Sequence, residues 1–153
     1  MKKRIIMLFS LLCLLMTACS NAYARRDYDS DEKISQAGNR YSKVRSVFNS
    51  IDGGYSFTVS KFDGRETLWE KTLKEDRDIE IDISFRLSEG KAKIVHIDSE
   101  DNVTTVIECL PETSTDGFVT ETVSLKSGKN RLRIVGYDCE DIELEMLSAE
   151  LQE

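Results

Sequence analysis

The sequence predicts an all-β fold, an antiparallel, jelly-roll-like β-sandwich of eight or nine short strands over residues 44–153. Three observations predict it. Turn signals recur at Asp52-Gly53-Gly54, Asp63-Gly64, Glu89-Gly90, Asp116-Gly117 and Ser127-Gly128, where glycine reaches positive φ at little steric cost. Ile79, Ile81, Ile83, Phe85 and Leu87 alternate with Glu80, Asp82, Ser84 and Arg86, a period of two that buries one face of a strand and wets the other. No long helical pattern separates the strand-like runs, which disfavours βαβ units.

The first element is an export signal. Lys2, Lys3 and Arg4 precede the apolar run 5–16, which is too short to span a bilayer and fits the apolar core of a signal peptide. The run ends in Met16-Thr17-Ala18-Cys19. This resembles the bacterial lipobox, with Met16 where the pattern prefers Leu. The resemblance implies a lipoprotein signal peptide over 1–18, cleavage before Cys19 and a diacylglycerol on its thiol. Ordinary secretion after Ala22 or Ala24 is the alternative. A lipid of two or more chains holds a protein at a membrane where one is marginal. The implied location is therefore the bacterial cell envelope, lipid-anchored and extracytoplasmic, with Ser20 resembling an outer-membrane sorting residue where the host has two membranes.

Residues 19–43 read as the lipidated cysteine and a flexible tether, because Ser20–Lys33 is almost entirely polar and offers little to a core. Ile34, Ala37, Tyr41, Val44, Phe48 and Ile51 are spaced as on an amphipathic helix, but Ser35, Gly38, Asn39 and Ser42 between them are weak helix formers. Coil followed by a strand near 44–51 is the expectation. Tyr55, Phe57 and Val59 then share a face, and Thr67, Trp69 and Leu73 belong to the next segment. Residues 91–97 are apolar on both faces, as a covered strand is. Runs 103–110, 118–125 and 131–137 follow. Ile142, Leu144 and Met146 alternate as a strand, although the Glu and Leu content of 142–151 also suits a helix. About 110 residues are enough for one core.

The stretch Lys129-Asn130-Arg131-Leu132-Arg133-Ile134-Val135-Gly136, with Gly53-Gly54-Tyr55 and Glu89-Gly90-Lys91 upstream, resembles uncharacterised small lipoproteins of gut-type bacteria. In outline the same residues, over about 44–147, resemble carbohydrate-binding-module β-sandwiches. The resemblance implies a fold and no activity.

Composition narrows the function. Without residues 1–18 the chain keeps 18 Lys+Arg against 28 Asp+Glu, a formal charge of −10. Binding nucleic acid needs phosphates neutralised by basic residues, so no nucleic-acid partner is expected. His96 is the single histidine, and no nucleophile motif or metal-ligand spacing accompanies it. No enzyme, metal or cofactor is expected. One weak calcium candidate is the loop Asp98, Glu100, Asp101 and Asn102, which offers oxygens but also suits a plain turn. Cys109 and Cys139 form either a structural disulfide or two buried thiols. Trp69 and Tyr137 are candidate ligand-facing aromatics, with Tyr55 and Phe118 beside them; the opposing expectation is that Trp69 and Tyr55 face the core. The expected function is a non-enzymatic binding or interaction module of the envelope, held to the membrane by its N-terminal lipid and meeting a protein. The alternative is a glycan-binding module in polysaccharide capture.

Overall fold

The computed structural model describes residues 27–152. The export signal, Cys19 and the first part of the expected tether lie outside the described residues. The rest is built almost wholly of strands: β1 (Arg40–Ile51), β2 (Gly54–Leu73), β3 (Arg77–Arg86), β4 (Glu89–Ile97), β5 (Val103–Cys109), β6 (Val119–Leu125) and β7 (Gly128–Leu147), preceded by one short helix, α1 (Asp31–Ser35). Every pairing is antiparallel. The all-β antiparallel sandwich stands.

The nine expected segments condense into seven strands. β2 unites the segments read at 55–59 and 67–73, and β7 unites 131–137 with 142–147. The Asp63-Gly64 signal does not reverse the chain. It marks a register shift between β2 and β7, with Gly64 at φ 107°. Opposite it, Asp138 and Asp141 in β7 also have positive φ, and the Asp138 amide donates to the Asp63 carboxylate at 2.7 Å. Bulges of this kind bend a strand and sharpen its twist. Residues 142–147 are strand rather than helix, and a single 3₁₀ turn follows at Ala149–Leu151.

The bends let two long strands serve two layers. The first half of β2 pairs with the whole of β1 on one side and with the second half of β7 on the other, giving one layer in the order β1-β2-β7-β3-β6. The second half of β2 and the first half of β7 continue through β4 to β5. One core lies between the layers, formed by Phe57, Val59, Ile79, Ile81, Ile83, Phe85, Ile142 and Leu144 with Leu68, Trp69, Ala92, Ile94, Leu132 and Ile134. Burial alternates along β3 as the sequence predicts, Ile79 to Phe85 in and Glu80 and Asp82 out.

The tether reading fails for residues 27–43. A second apolar cluster joins Tyr28 and Ile34 to Val95, Ile97 and Val135 on the outer face of the β2-β7-β4-β5 layer. Ser30 caps α1, and residues 27–38 lie across that face as a strap. Two apolar side chains suffice because the rest of the attachment is polar and ionic. Arg65 pairs with Asp27 at 2.6 Å, both nearly fully buried. Arg133 donates to the carbonyls of Ile34, Gln36 and Gly38, and Arg131 to that of Ser35. These are carbonyls a helix end leaves without partners. β1 begins at Arg40, four residues before the expected strand.

Candidate functional site

The open part of the molecule is β1. Among the described residues it pairs with β2 alone, over Arg40–Ile51, and almost all of its residues are exposed. The β2-β7-β4-β5 layer ends at β2, so the inner face of β1 has no layer opposite it. Cross-strand partners share a face. Phe48 sits opposite Phe57 and Lys43 opposite Phe62, and both partners are core residues, so Tyr41, Lys43 and Phe48 project from the inner face.

They form a ledge of rings around one ion pair. Phe48 stacks on Tyr55 at 5.3 Å between centroids and meets the edge of Phe57 at 6.3 Å. Tyr41 stacks on Phe62 at 6.4 Å. Phe57 and Phe62 are buried and Tyr55 is half-buried, while Tyr41 and Phe48 remain 43% and 45% exposed. Lys43 Nζ lies 4.4 Å from the centre of the Tyr41 ring and donates to both Glu66 carboxylate oxygens, at 2.7 and 2.9 Å. Lys43 Nζ lies also 5.8 Å from the centre of the Phe57 ring, so one ammonium stands between the two stacks. The Tyr55 hydroxyl, donating to the Leu151 carbonyl at 2.9 Å, fixes the inner ring of that stack. Flat faces flanking a fixed donor-and-acceptor pair can stack on the apolar faces of a ligand and bond its hydroxyls.

The sequence candidates fall elsewhere. Trp69 is buried in the core opposite Leu132, so it cannot face a ligand; the bulge between Thr67 and Trp69 turns it inward. Tyr137 is half-buried against the strap cluster. Of the remaining two, Tyr55 is the inner half of a ledge stack and Phe118 is exposed just before β6. Cys109 and Cys139 are free and buried. Each thiol turns to a different carbonyl, Cys109 to Phe85 and Cys139 to Lys91, which corrects the disulfide reading. Burial pushes the Cys139 thiol up to about 12 and raises Cys109 as well.

The loop of Asp98, Glu100, Asp101 and Asn102 has the bonding of a plain turn. Asp98 accepts from the Glu100 and Asn102 amides and from the Asn102 side chain, all at 2.9 Å. Burial alone would raise its pKa, but these bonds outweigh it and hold the carboxyl below the ordinary value. Asp101 is taken by Arg131 at 2.5 Å. Among the described residues no group of three or more His, Cys, Asp or Glu is placed to hold a metal ion. His96 is buried with Nε2 2.9 Å from Asn130 Oδ1. Asn130 in turn bonds the Lys126 amide and the Lys126 and Gly128 carbonyls, so the histidine braces a turn.

No family model matches this chain, and no curated relative does. Among solved structures it is similar to a mutant of a family 29 carbohydrate-binding module, at 15% identity, over 73% of this chain and 79% of that one, with a TM-score of 0.40. It is similar also to a family 29 module complexed with cellulohexaose, at 16% identity, over 73% and 78%, TM-score 0.39. A family 35 module from Clostridium thermocellum gives 12% identity, 71% and 92%, and 0.39. These are distant likenesses, and neither a sugar nor a contact residue carries over from them.

Proposed function

We propose that this protein is a non-enzymatic, lipid-anchored binding module of the bacterial envelope that captures a glycan on the inner face of β1. The observation that carries the reading is the pair of exposed rings, Tyr41 and Phe48, each backed by a buried aromatic and set either side of the Lys43–Glu66 pair. Exposed aromatics normally cost solvation without return. Here each is held flat by its neighbour and therefore loses little freedom on stacking with a ligand. The lipid at Cys19, inferred from the lipobox-like Met16–Cys19, would hold the module at the membrane surface. One feature favours a second reading, contact with a protein: β1 leaves an edge without a neighbour.

The test is a glycan array on the full chain, followed by calorimetry with whatever binds. Tyr41→Ala and Phe48→Ala should each weaken binding by about tenfold while leaving the melting temperature nearly unchanged, since both rings are half exposed. Trp69→Ala should unfold the protein instead. A silent array, or binding that survives both ledge substitutions, sinks the glycan reading.

A further inference from the structure

Among the described residues the β1-β2-β7-β3-β6 layer has two open edges, since β1 pairs only with β2 and β6 only with β3. Six large apolar side chains stand exposed among the described residues, and all six lie at these edges: Tyr41, Val44, Val47 and Phe48 on β1, Phe118 and Val119 at the start of β6. Open edges with apolar side chains are templates for pairing with another chain.

The edges carry opposite charge. β1 holds Arg40, Lys43 and Arg45 and no acid, with Lys43 matched on the inner face by Glu66 of β2. Residues 111–125 hold Glu112, Asp116 and Glu121 and no base. Beside β6 on the outer face, Asp78, Glu80, Asp82 and Glu150 line an open cleft of about 730 Å³ with Thr120 and Thr122. The bases at that end, Arg77 and Lys126, stand by Leu125, away from Phe118 and Val119. On β1 the outer face carries Arg40, opposite Arg65, and Arg45, which lines a shallow cleft with Thr58, Ser60, Asp141 and Glu143. Continuing the sheet from one molecule to the next would set these bases beside those acids.

We propose that the protein associates head to tail with a second copy, the β1 edge of one molecule pairing with the β6 edge of the next. Pairing β1 with β1 sets bases against bases, and pairing β6 with β6 sets acids against acids, each destabilising. Only the unlike pairing satisfies both charge and apolar surface. The interruption at Arg45, at φ 50°, limits indiscriminate pairing and leaves two shorter halves, each nearer the seven-residue length of β6. Such a contact is heterologous and, unless its rotation closes a ring, propagates. It uses the edge and outer face of β1 and leaves the inner rings clear, so it stands whether or not those rings bind sugar.

The experiment is sedimentation of the full exported chain over a concentration series, in density-matched detergent. The mean mass should rise past the dimer. The double variant Val44→Glu/Val47→Glu and the double variant Phe118→Asp/Val119→Asp should each be monomeric alone. Mixed in equal amounts they should give dimers and nothing larger, because each keeps one sound edge, and that dimer also shows both variants folded. A wild type that is monomeric throughout overturns the proposal. So does one that stops at the dimer, which means a self-complementary contact, and so does a mixture that stays monomeric.

Discussion

Three arginines, Arg65, Arg131 and Arg133, stand on one outer face under the strap and are at most 7% exposed. Burial, with the positive charges of Arg131 and Arg65, pushes Arg133 down to about 10. The charge is tolerated because Arg133 is surrounded by acceptors, the strap carbonyls and the Thr67 hydroxyl. Arg65 depends instead on one counter-ion, since its remaining side-chain bond, to Gln36, is long at 3.4 Å. Removing one partner of a buried pair leaves a charge without compensation, whereas replacing both is often neutral. Asp27→Asn should therefore cost about 3–5 kcal/mol in urea unfolding, and Asp27→Leu with Arg65→Met should recover most of it. Equal losses in the single and double variants would mean that apolar packing, rather than the ion pair, holds the strap.

At the scale of elements, the bulges decide what each strand presents. Tyr41 and Phe48 are seven residues apart, an odd number that places them on opposite faces of a regular strand. Arg45, at φ 50°, interrupts the pairing without shifting its register, and both rings turn inward. That explains why the sequence reads this stretch as helical in spacing and misses the ledge: one residue turned out of a period-two pattern imitates spacings of three and four. The bend at Gly64 escapes the sequence for a related reason, because a positive-φ glycine serves a reversing turn and a bulge equally well. Where no bulge intervenes, as in β3, alternation is legible and correct. Gly64 also gives the pairing its most sensitive point. A Cβ there would lie 2.2 Å from the Arg40 carbonyl oxygen and 2.9 Å from the Tyr41 Cα. Gly64→Ala should cost about 2–3 kcal/mol and weaken ligand binding at Tyr41. Gly53→Ala has a similar φ but open space around it, so it should cost only about 1 kcal/mol of backbone strain. Thermal unfolding of the two variants separates clash from strain.

For the molecule as a whole, the strap changes where the domain begins. Polarity marks residues 20–43 as tether because the two side chains that anchor its folded part, Tyr28 and Ile34, are isolated among charges. Their partners are also hidden in sequence, being distributed over β4 and β7. Lys91 and Lys93 lie over the Tyr28 ring at 4.1 and 4.8 Å, and its hydroxyl donates to Glu108 at 2.5 Å. Burial and that bond hold the Tyr28 phenol well above its usual range, so it stays protonated and keeps donating across neutral pH. Burying two such side chains contributes about 3–6 kcal/mol, a large part of the stability of a domain this size. A chain starting at residue 44 would lose this, deprive three arginines of their acceptors on the strap, and lose Tyr41 from the ledge. It should fail to show a cooperative melt, whereas a chain starting at residue 27 should unfold in one transition. If the shorter chain instead melts cooperatively within a few degrees of the longer one, the strap is an appendage and not part of the fold. The strap would then be free to lengthen the tether, which the expected anchor at Cys19 otherwise reaches after only the short segment before Asp27.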